Sequence, residues 1–287
     1  MKKYLSLVKF SHTVFALPFA LLGFTLAVVR YSSENVWYLL LLVLLCMVLA
    51  RSAAMAFNRY LDRDIDKKNP RTQGREIPAG IISPGSALTF TIICALGFIL
   101  TTFFINPLCF YLSPVALLVV LGYSYTKRFT SICHFVLGIG LGLAPVGAYI
   151  SVSNQFDWIP ILIGSSVLFW VGGFDIIYAL QDEEFDQSLG LYSIPASLGR
   201  RRALLLSRAI HILSGLLMVI AIVSISQTYM ESSWLMWLAL GVFVSLLVYQ
   251  QLQVSVDDLS RINLAFFTSN GIASVVFGAL VIIDLLI

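Results

Sequence analysis

Charge is scarce in this chain. Only 11% of its 287 residues are Asp, Glu, Lys or Arg, while 59% are hydrophobic. A soluble domain carries roughly a quarter charged residues. That scarcity excludes an ordinary water-soluble fold and places most of the chain in lipid or against its own helices. Cysteine is sparse as well. Cys46, Cys94, Cys109 and Cys133 lie in or near apolar runs with no CxxC spacing, so neither a disulfide framework nor a zinc site is supported. Histidine is limited to His12, His134 and His211, with no paired-histidine metal motif, and each reads as structural. There is no P-loop pattern and no GxSxG element, which disfavours nucleotide hydrolysis and esterase chemistry. No basic–aromatic surface points to nucleic acid. The N-terminus carries Lys2, Lys3 and Lys9 before a long apolar run without a small-residue cleavage site, so it reads as a first retained span.

What the chain has instead is long apolar runs. A helix needs about 20 such residues to cross the hydrocarbon core. Polar breaks divide the sequence into nine runs, at 11–29, 36–57, 86–105, 108–126, 132–152, 158–180, 203–226, 233–252 and 263–286. The reading is an all-α membrane protein, a single domain over 1–287, with nine transmembrane helices. Basic residues orient it. Lys2, Lys3, Lys9, Arg59, Arg63, Lys67, Lys68, Arg71, Arg75, Lys127, Arg128, the arginines at 200–202, and Arg261 all fall on one face when nine spans are counted. The opposite loops hold only Arg30. The basic face is expected in the cytoplasm with the N-terminus, leaving the C-terminus outside.

Two acidic segments carry the chemistry. Asn58, Asp62 and Asp66 directly follow the second span, each four residues apart. Four residues turn a helix about 400°, so the three side chains share a face. Like charges at that spacing repel, and a hard divalent cation reverses the sign. Mg²⁺ takes oxygen ligands and is usually held by one or two carboxylates plus substrate phosphates. In the second segment Asp182 and Asp186 are four apart, with Asp175 seven and Tyr178 four before Asp182, so one helix face is expected to carry all four. Asp175 lies inside an apolar span, where a carboxylate is a functional candidate by default. By the same phase argument Asp64, Glu183 and Glu184 are surface charges. The bland alternative for the first segment is a polar helix end balanced by nearby arginines. For Asp175 it is an inter-helix ion pair.

A Mg²⁺–diphosphate group also needs donors for its remaining oxygens. Arg71 and Arg75 lie in a Pro- and Gly-rich loop after the first acids, and both can fork two phosphate oxygens. Tyr123 and Lys127, four apart at the end of the fourth span, can point together into the bundle. For Arg71, Arg128 and the arginines at 200–202, a topology or lipid-headgroup role fits equally well.

These segments resemble the UbiA superfamily of membrane prenyltransferases. Asn58-x₃-Asp62-x₃-Asp66 and Asp175-x₂-Tyr178-x₃-Asp182-x₃-Asp186 are similar to its two acidic elements. Arg75-Glu76-Ile77-Pro78-Ala79-Gly80 and Tyr123-Ser124-Tyr125-Thr126-Lys127-Arg128 are similar to its RPLPSG-like and YPYTKR-like segments. The stretch from Lys9 to Phe19 resembles the start of 4-hydroxybenzoate polyprenyltransferases. Arg59 and Lys9 depart from the pattern, standing where many members have Asp and Arg. The resemblance implies nine helices around a central cavity, with Mg²⁺ held by Asn58, Asp62, Asp66, Asp182 and Asp186. It implies a polyprenyl diphosphate bound by Arg75, Lys127, Tyr123, Arg71 and Lys9, and a catalytic set of Asp175, Tyr178, Lys127 and Arg75. The acceptor it implies is an aromatic acid, 4-hydroxybenzoate first and a dihydroxynaphthoate second, in quinone biosynthesis, with the isoprenoid tail running into membrane lipid. A different class, a cation-coupled transporter or lipid-phosphate binding protein, would place paired charges at mid-bilayer. Only Asp175 is clearly intramembrane.

Overall fold

The computed structural model describes residues 2–8, 15–32, 34–229 and 234–287. Its described residues form twelve α-helices and no strands: α1 (Lys2–Val8), α2 (Leu17–Tyr31), α3 (Val36–Lys68), α4 (Pro84–Phe103), α5 (Pro107–Thr126), α6 (Cys133–Ser153), α7 (Trp158–Ala179), α8 (Glu183–Ser188), α9 (Ile194–Leu198), α10 (Arg200–Tyr229), α11 (Trp234–Leu252) and α12 (Asn270–Leu286). Seven stretches are long and apolar enough to cross a membrane, namely α3 to α6, the continuous run Trp158–Ser188, α10 and α11. Two more apolar helices, α2 and α12, have 15 and 17 residues. Lys9, just before the expected first span, and His12, within it, lie outside the described residues.

Helix ends follow local chemistry. Ser83, Asn106 and Asp157 each cap a following helix by accepting a backbone N–H, and Pro84 and Pro107 occupy first-turn positions that need no donor. The second helix was expected to end near residue 57. It runs on to Lys68, because no glycine or proline interrupts it before Pro70, which forces Asn69 into an extended conformation. At 1.5 Å per residue those 33 residues reach about 50 Å, against a hydrocarbon core of about 30 Å. The surplus carries the first acidic set beyond the core on rigid helix.

The second segment behaves differently. α7 stops at Ala179, a 3₁₀ turn covers Leu180–Asp182, and α8 begins at Glu183. The single face expected to carry Asp175, Tyr178, Asp182 and Asp186 is therefore broken. Asp182 is drawn to Arg71 and Glu183 to Arg200, so adjacent carboxylates are pulled to different partners across the turn.

Outside, the helices show large apolar side chains such as Trp37, Ile93, Leu96, Tyr111 and Leu118, the surface of a protein solvated by lipid. Inside, Phe19, Trp170, Phe174, Phe243 and Phe277 form an aromatic core joining α2, α7, α11 and α12. Buried polar pairs tie helices together: Ser166 with Ser214, Trp170 with Asn270, and His211 with Gln251. α6 and α7 approach closely at glycines. A Cβ on Gly142 would stand 2.4 Å from the Gly164 carbonyl oxygen, whereas one on Gly140 would stand 3.6 Å from a Val120 methyl. Gly142→Ala is therefore expected to cost about 1–3 kcal/mol by overpacking. The expected reading is a lower melting temperature in detergent for Gly142→Ala, with Gly140→Ala close to the native protein.

Candidate active site

The end of α3 presents the first acidic set. Asp62 and Asp66 are 2% and 3% exposed. An ionised carboxylate in such a place needs compensation. Asp62 receives it from two groups at the end of α5: the Arg128 guanidinium at 2.9 Å and the Lys127 ammonium at 3.4 Å. Asn58 donates to the same carboxylate at 3.0 Å. Asp66 pairs through Oδ1 with Arg75 at 2.7 Å, and its Oδ2 is buried with no partner.

The loop after α3 then crosses to the second set. Arg71 forks the Asp182 carboxylate, its Nε donating at 3.0 Å, and its third nitrogen donates to the Tyr178 hydroxyl at 3.2 Å. Asn69 donates to Asp182 at 3.1 Å. Burial acts most strongly and lowers the Arg71 pKa, but the hydrogen bond to Asp182 together with the charges of Asp182 and Asp66 and the Tyr178 hydroxyl outweigh it and hold the guanidinium above its ordinary value. The Tyr178 ring packs on Phe266 with centroids 4.2 Å apart. Asp186, on α8, is buried and faces Ser193 and Lys127. Arg71 and Arg128, for which a headgroup role fitted equally well, are thus both in the site. Glu183, expected on the surface, is mostly buried and pairs with Arg200 at 2.6 Å. Asp64 and Glu184 are exposed, as expected.

The structure thus gathers Asn58, Asp62, Asp66, Arg75, Lys127, Arg71, Tyr178, Asp182 and Asp186 at one end of the bundle. Lys9 lies outside the described residues. Among those residues no three acidic, thiol or imidazole groups already converge on one point.

Asp175 sits lower, half-buried on α7. His134 at the start of α6 donates from Nδ1 to its Oδ2 at 2.7 Å. His134, read from sequence as structural only, therefore touches a candidate catalytic group.

Below the acids lies an apolar cavity of about 360 Å³ between α3, α5 and α6. Tyr123 lines it, as do Phe98 and Phe156. So does Arg51, a cation inside a membrane span with no ion-pair partner among the described residues and an Nε that is buried without a hydrogen bond. Sequence reasoning passed over it. The signal was present: Arg51 is seven residues before Asn58, hence on the same helix face, and an intramembrane charge is functional by default. Arg59, noted only as a departure from pattern, is 4% exposed with its Nε also unpartnered, within electrostatic reach of Asp66 and Tyr123.

Removing one partner of a buried ion pair leaves the other uncompensated. Arg75→Met is expected to destabilise the protein by on the order of 3 kcal/mol, and adding Asp66→Asn should recover most of it. Melting temperatures of the two single variants and the double variant in detergent check this.

The fold and these motifs have counterparts. The model of the UbiA prenyltransferase family matches residues 16–271. A 4-hydroxybenzoate octaprenyltransferase from Aeromonas salmonicida is 31% identical over 248 residues, covering 86% of this chain and 83% of that protein. The protein of the same description from Aeromonas hydrophila is 29% identical, covering 86% and 84%. The apo structure of a UbiA homolog from Aeropyrum pernix K1 superposes with a TM-score of 0.82 at 29% identity, over 95% of this chain and 98% of that one. A UbiA homolog from Archaeoglobus fulgidus bound to DMAPP and Mg²⁺ shares the fold, with a TM-score of 0.75 at 22% identity over 99% of each chain. A family match across most of the chain makes this protein a member of the UbiA prenyltransferase family.

Proposed function

We propose that this protein transfers a polyprenyl group from a polyprenyl diphosphate to 4-hydroxybenzoate, in a Mg²⁺-dependent reaction of quinone biosynthesis. The observation that carries the reading is that α3, which bears Asn58, Asp62 and Asp66, also places the Arg51 guanidinium in an apolar cavity lined by Tyr123. Asn58, Asp62, Asp66, Asp182 and Asp186 are the residues to hold Mg²⁺. Their hard oxygens suit it, and the unpartnered buried Oδ2 of Asp66 is a donor atom in need of a cation. When bound, Mg²⁺ supplies the positive charge that lets carboxylates and diphosphate oxygens share one site.

The chain's own cations do the rest. Arg71, Arg75, Lys127 and Arg128 occupy the acids until the diphosphate arrives, then turn to its oxygens, together with Lys9 and the Tyr123 hydroxyl. Fixed positive charge stabilises the charge that builds on the leaving diphosphate as its bond to carbon breaks. The allylic cation left behind faces an apolar cavity that Tyr123 lines at the end nearest the acids. Arg51 is placed to hold the acceptor's carboxylate and so to aim its ring at that cation. Asp175 and Tyr178 complete the catalytic set. A dihydroxynaphthoate acceptor also carries a carboxylate and would use Arg51 the same way.

We further place this site on the cytoplasmic face of a bacterial inner membrane. Nine spans, α2 to α7, α10, α11 and α12, enclose a central cavity, the N-terminus is inside and the C-terminus outside. Arg30, the single basic residue of the opposite loops, supports this orientation because it is paired with Asp157 at 2.6 Å.

Incubating membranes with Mg²⁺, a polyprenyl diphosphate and either acceptor, side by side, tests the assignment. Prenylated 4-hydroxybenzoate is the expected product, and its absence with a working control rejects that acceptor. Asp62→Asn and Asp182→Asn should each lower turnover by about a hundredfold or more while the protein still inserts. Arg51→Met should raise the acceptor KM roughly 10- to 100-fold, as expected for losing a charged hydrogen bond, and leave prenyl diphosphate binding unchanged.

A further inference from the structure

Asp175 is held by a histidine whose second nitrogen is committed elsewhere. The Ile194 backbone N–H donates to His134 Nε2 at 3.2 Å. An Nε2 that accepts a hydrogen bond carries no proton, so the ring proton sits on Nδ1 and is donated to Asp175 Oδ2 at 2.7 Å. The histidine is 2% exposed, and its neighbours fix it further. Ile194 opens α9, and the preceding Tyr192 donates its N–H to the Lys127 carbonyl at 2.7 Å. His134 thus joins three things: the intramembrane carboxylate, the loop following Asp186, and the strand of contacts from Lys127. One carboxylate oxygen of Asp175 is taken. The other, Oδ1, makes no hydrogen bond among the described residues, and the carboxylate lies within electrostatic reach of Tyr123, which lines the Arg51 cavity.

Resting on the prenyl-transfer reading above, we propose that His134 is a positioning residue that aims Asp175 Oδ1 at the acceptor ring, so that Asp175 takes the ring proton that must leave. The step balances. The ring carbon bonds to the allylic carbon while the carbon–oxygen bond to diphosphate breaks, and diphosphate leaves with the electron pair. The C–H bond at the alkylated carbon then breaks, its electrons restore the aromatic ring, and its proton goes to Asp175. The carboxyl afterwards gives the proton to water at the membrane face. A histidine held at both ring nitrogens suits this task, because it fixes the orientation of the carboxylate through one short hydrogen bond.

The test uses the full-length protein in detergent with Mg²⁺, geranyl diphosphate, and 4-hydroxybenzoate deuterated ortho to its hydroxyl. In the native protein loss of the ring proton is fast, and the isotope effect on turnover is close to unity. His134→Leu keeps the volume and removes both hydrogen bonds. Transfer is expected to fall roughly 10- to 100-fold, the range seen when a residue orienting a functional side chain is lost, and the isotope effect to rise to about 2 or more as proton loss becomes limiting. His134→Gln has an amide donor for Asp175 and a carbonyl for the Ile194 N–H, and it should restore both quantities to near native. A purely structural role predicts lower stability with no isotope effect, and that result overturns the proposal. So does a folded His134→Gln protein as impaired as His134→Leu. If His134→Leu fails to fold, Asp175→Asn reads the same step: it should still ionise geranyl diphosphate, seen as geraniol, while transfer falls at least about a hundredfold. Undiminished transfer there also overturns the proposal. A native protein that forms no prenylated hydroxybenzoate overturns the underlying reading itself.

Discussion

A carboxylate at the edge of a hydrocarbon layer needs an opposite charge within a few ångströms, since neither lipid nor protein can solvate it as water does. The acidic face of this protein is organised by that need. Asp62 takes Lys127 and Arg128, Asp66 takes Arg75, Asp182 takes Arg71, and Glu183 takes Arg200. These contacts tie together segments that are separate in the chain. The end of α3 is fastened to the end of α5, the loop after α3 to the turn after α7, and the start of α8 to α10. The cations that neutralise the acids are therefore also what holds the loops in register. On the proposed function the same guanidinium and ammonium groups are those a diphosphate needs, so binding exchanges partners within an existing network.

The opposite face is held more economically. Arg30 and Tyr149 both reach Asp157, and Tyr149 also meets Tyr31. This cluster links α2, α6 and the start of α7 with few charges. Between the two faces, small residues and neutral polar pairs replace ions, as the low dielectric demands.

Much of this was legible in the residues. Apolar runs located the long helices, because lipid imposes length and composition together. Four-residue spacing put Asn58, Asp62 and Asp66 together, because α3 is an unbroken helix there. The same logic failed on the second segment, where a 3₁₀ turn intervenes between Tyr178 and Asp186. Nothing in one-dimensional spacing reports that Arg71 and Arg200 pull adjacent carboxylates apart. Glu183 was misread for that reason. Arg51 was legible but overlooked, since it is a lone charge in an otherwise apolar run. The partnership of His134 with Asp175 was not legible, because it spans 41 residues and depends on how α6 lies against α7.

The uninterrupted course of α3 has a geometric consequence. Arg51 and the acids from Asn58 onward lie on one backbone, locked by its own hydrogen bonds. The separation of the Arg51 and Asn58 Cα atoms, about 10 Å along the axis, is set by peptide geometry and not by the packing of loops. On the proposed function α3 acts as a ruler on which an acceptor and a leaving group are measured against the same scale. Side chains between the marks can change with little effect on the spacing. Adding or deleting a single residue there would turn one mark about 100° away from the other, so the tract from 51 to 58 is a place where length is fixed even where identity is not.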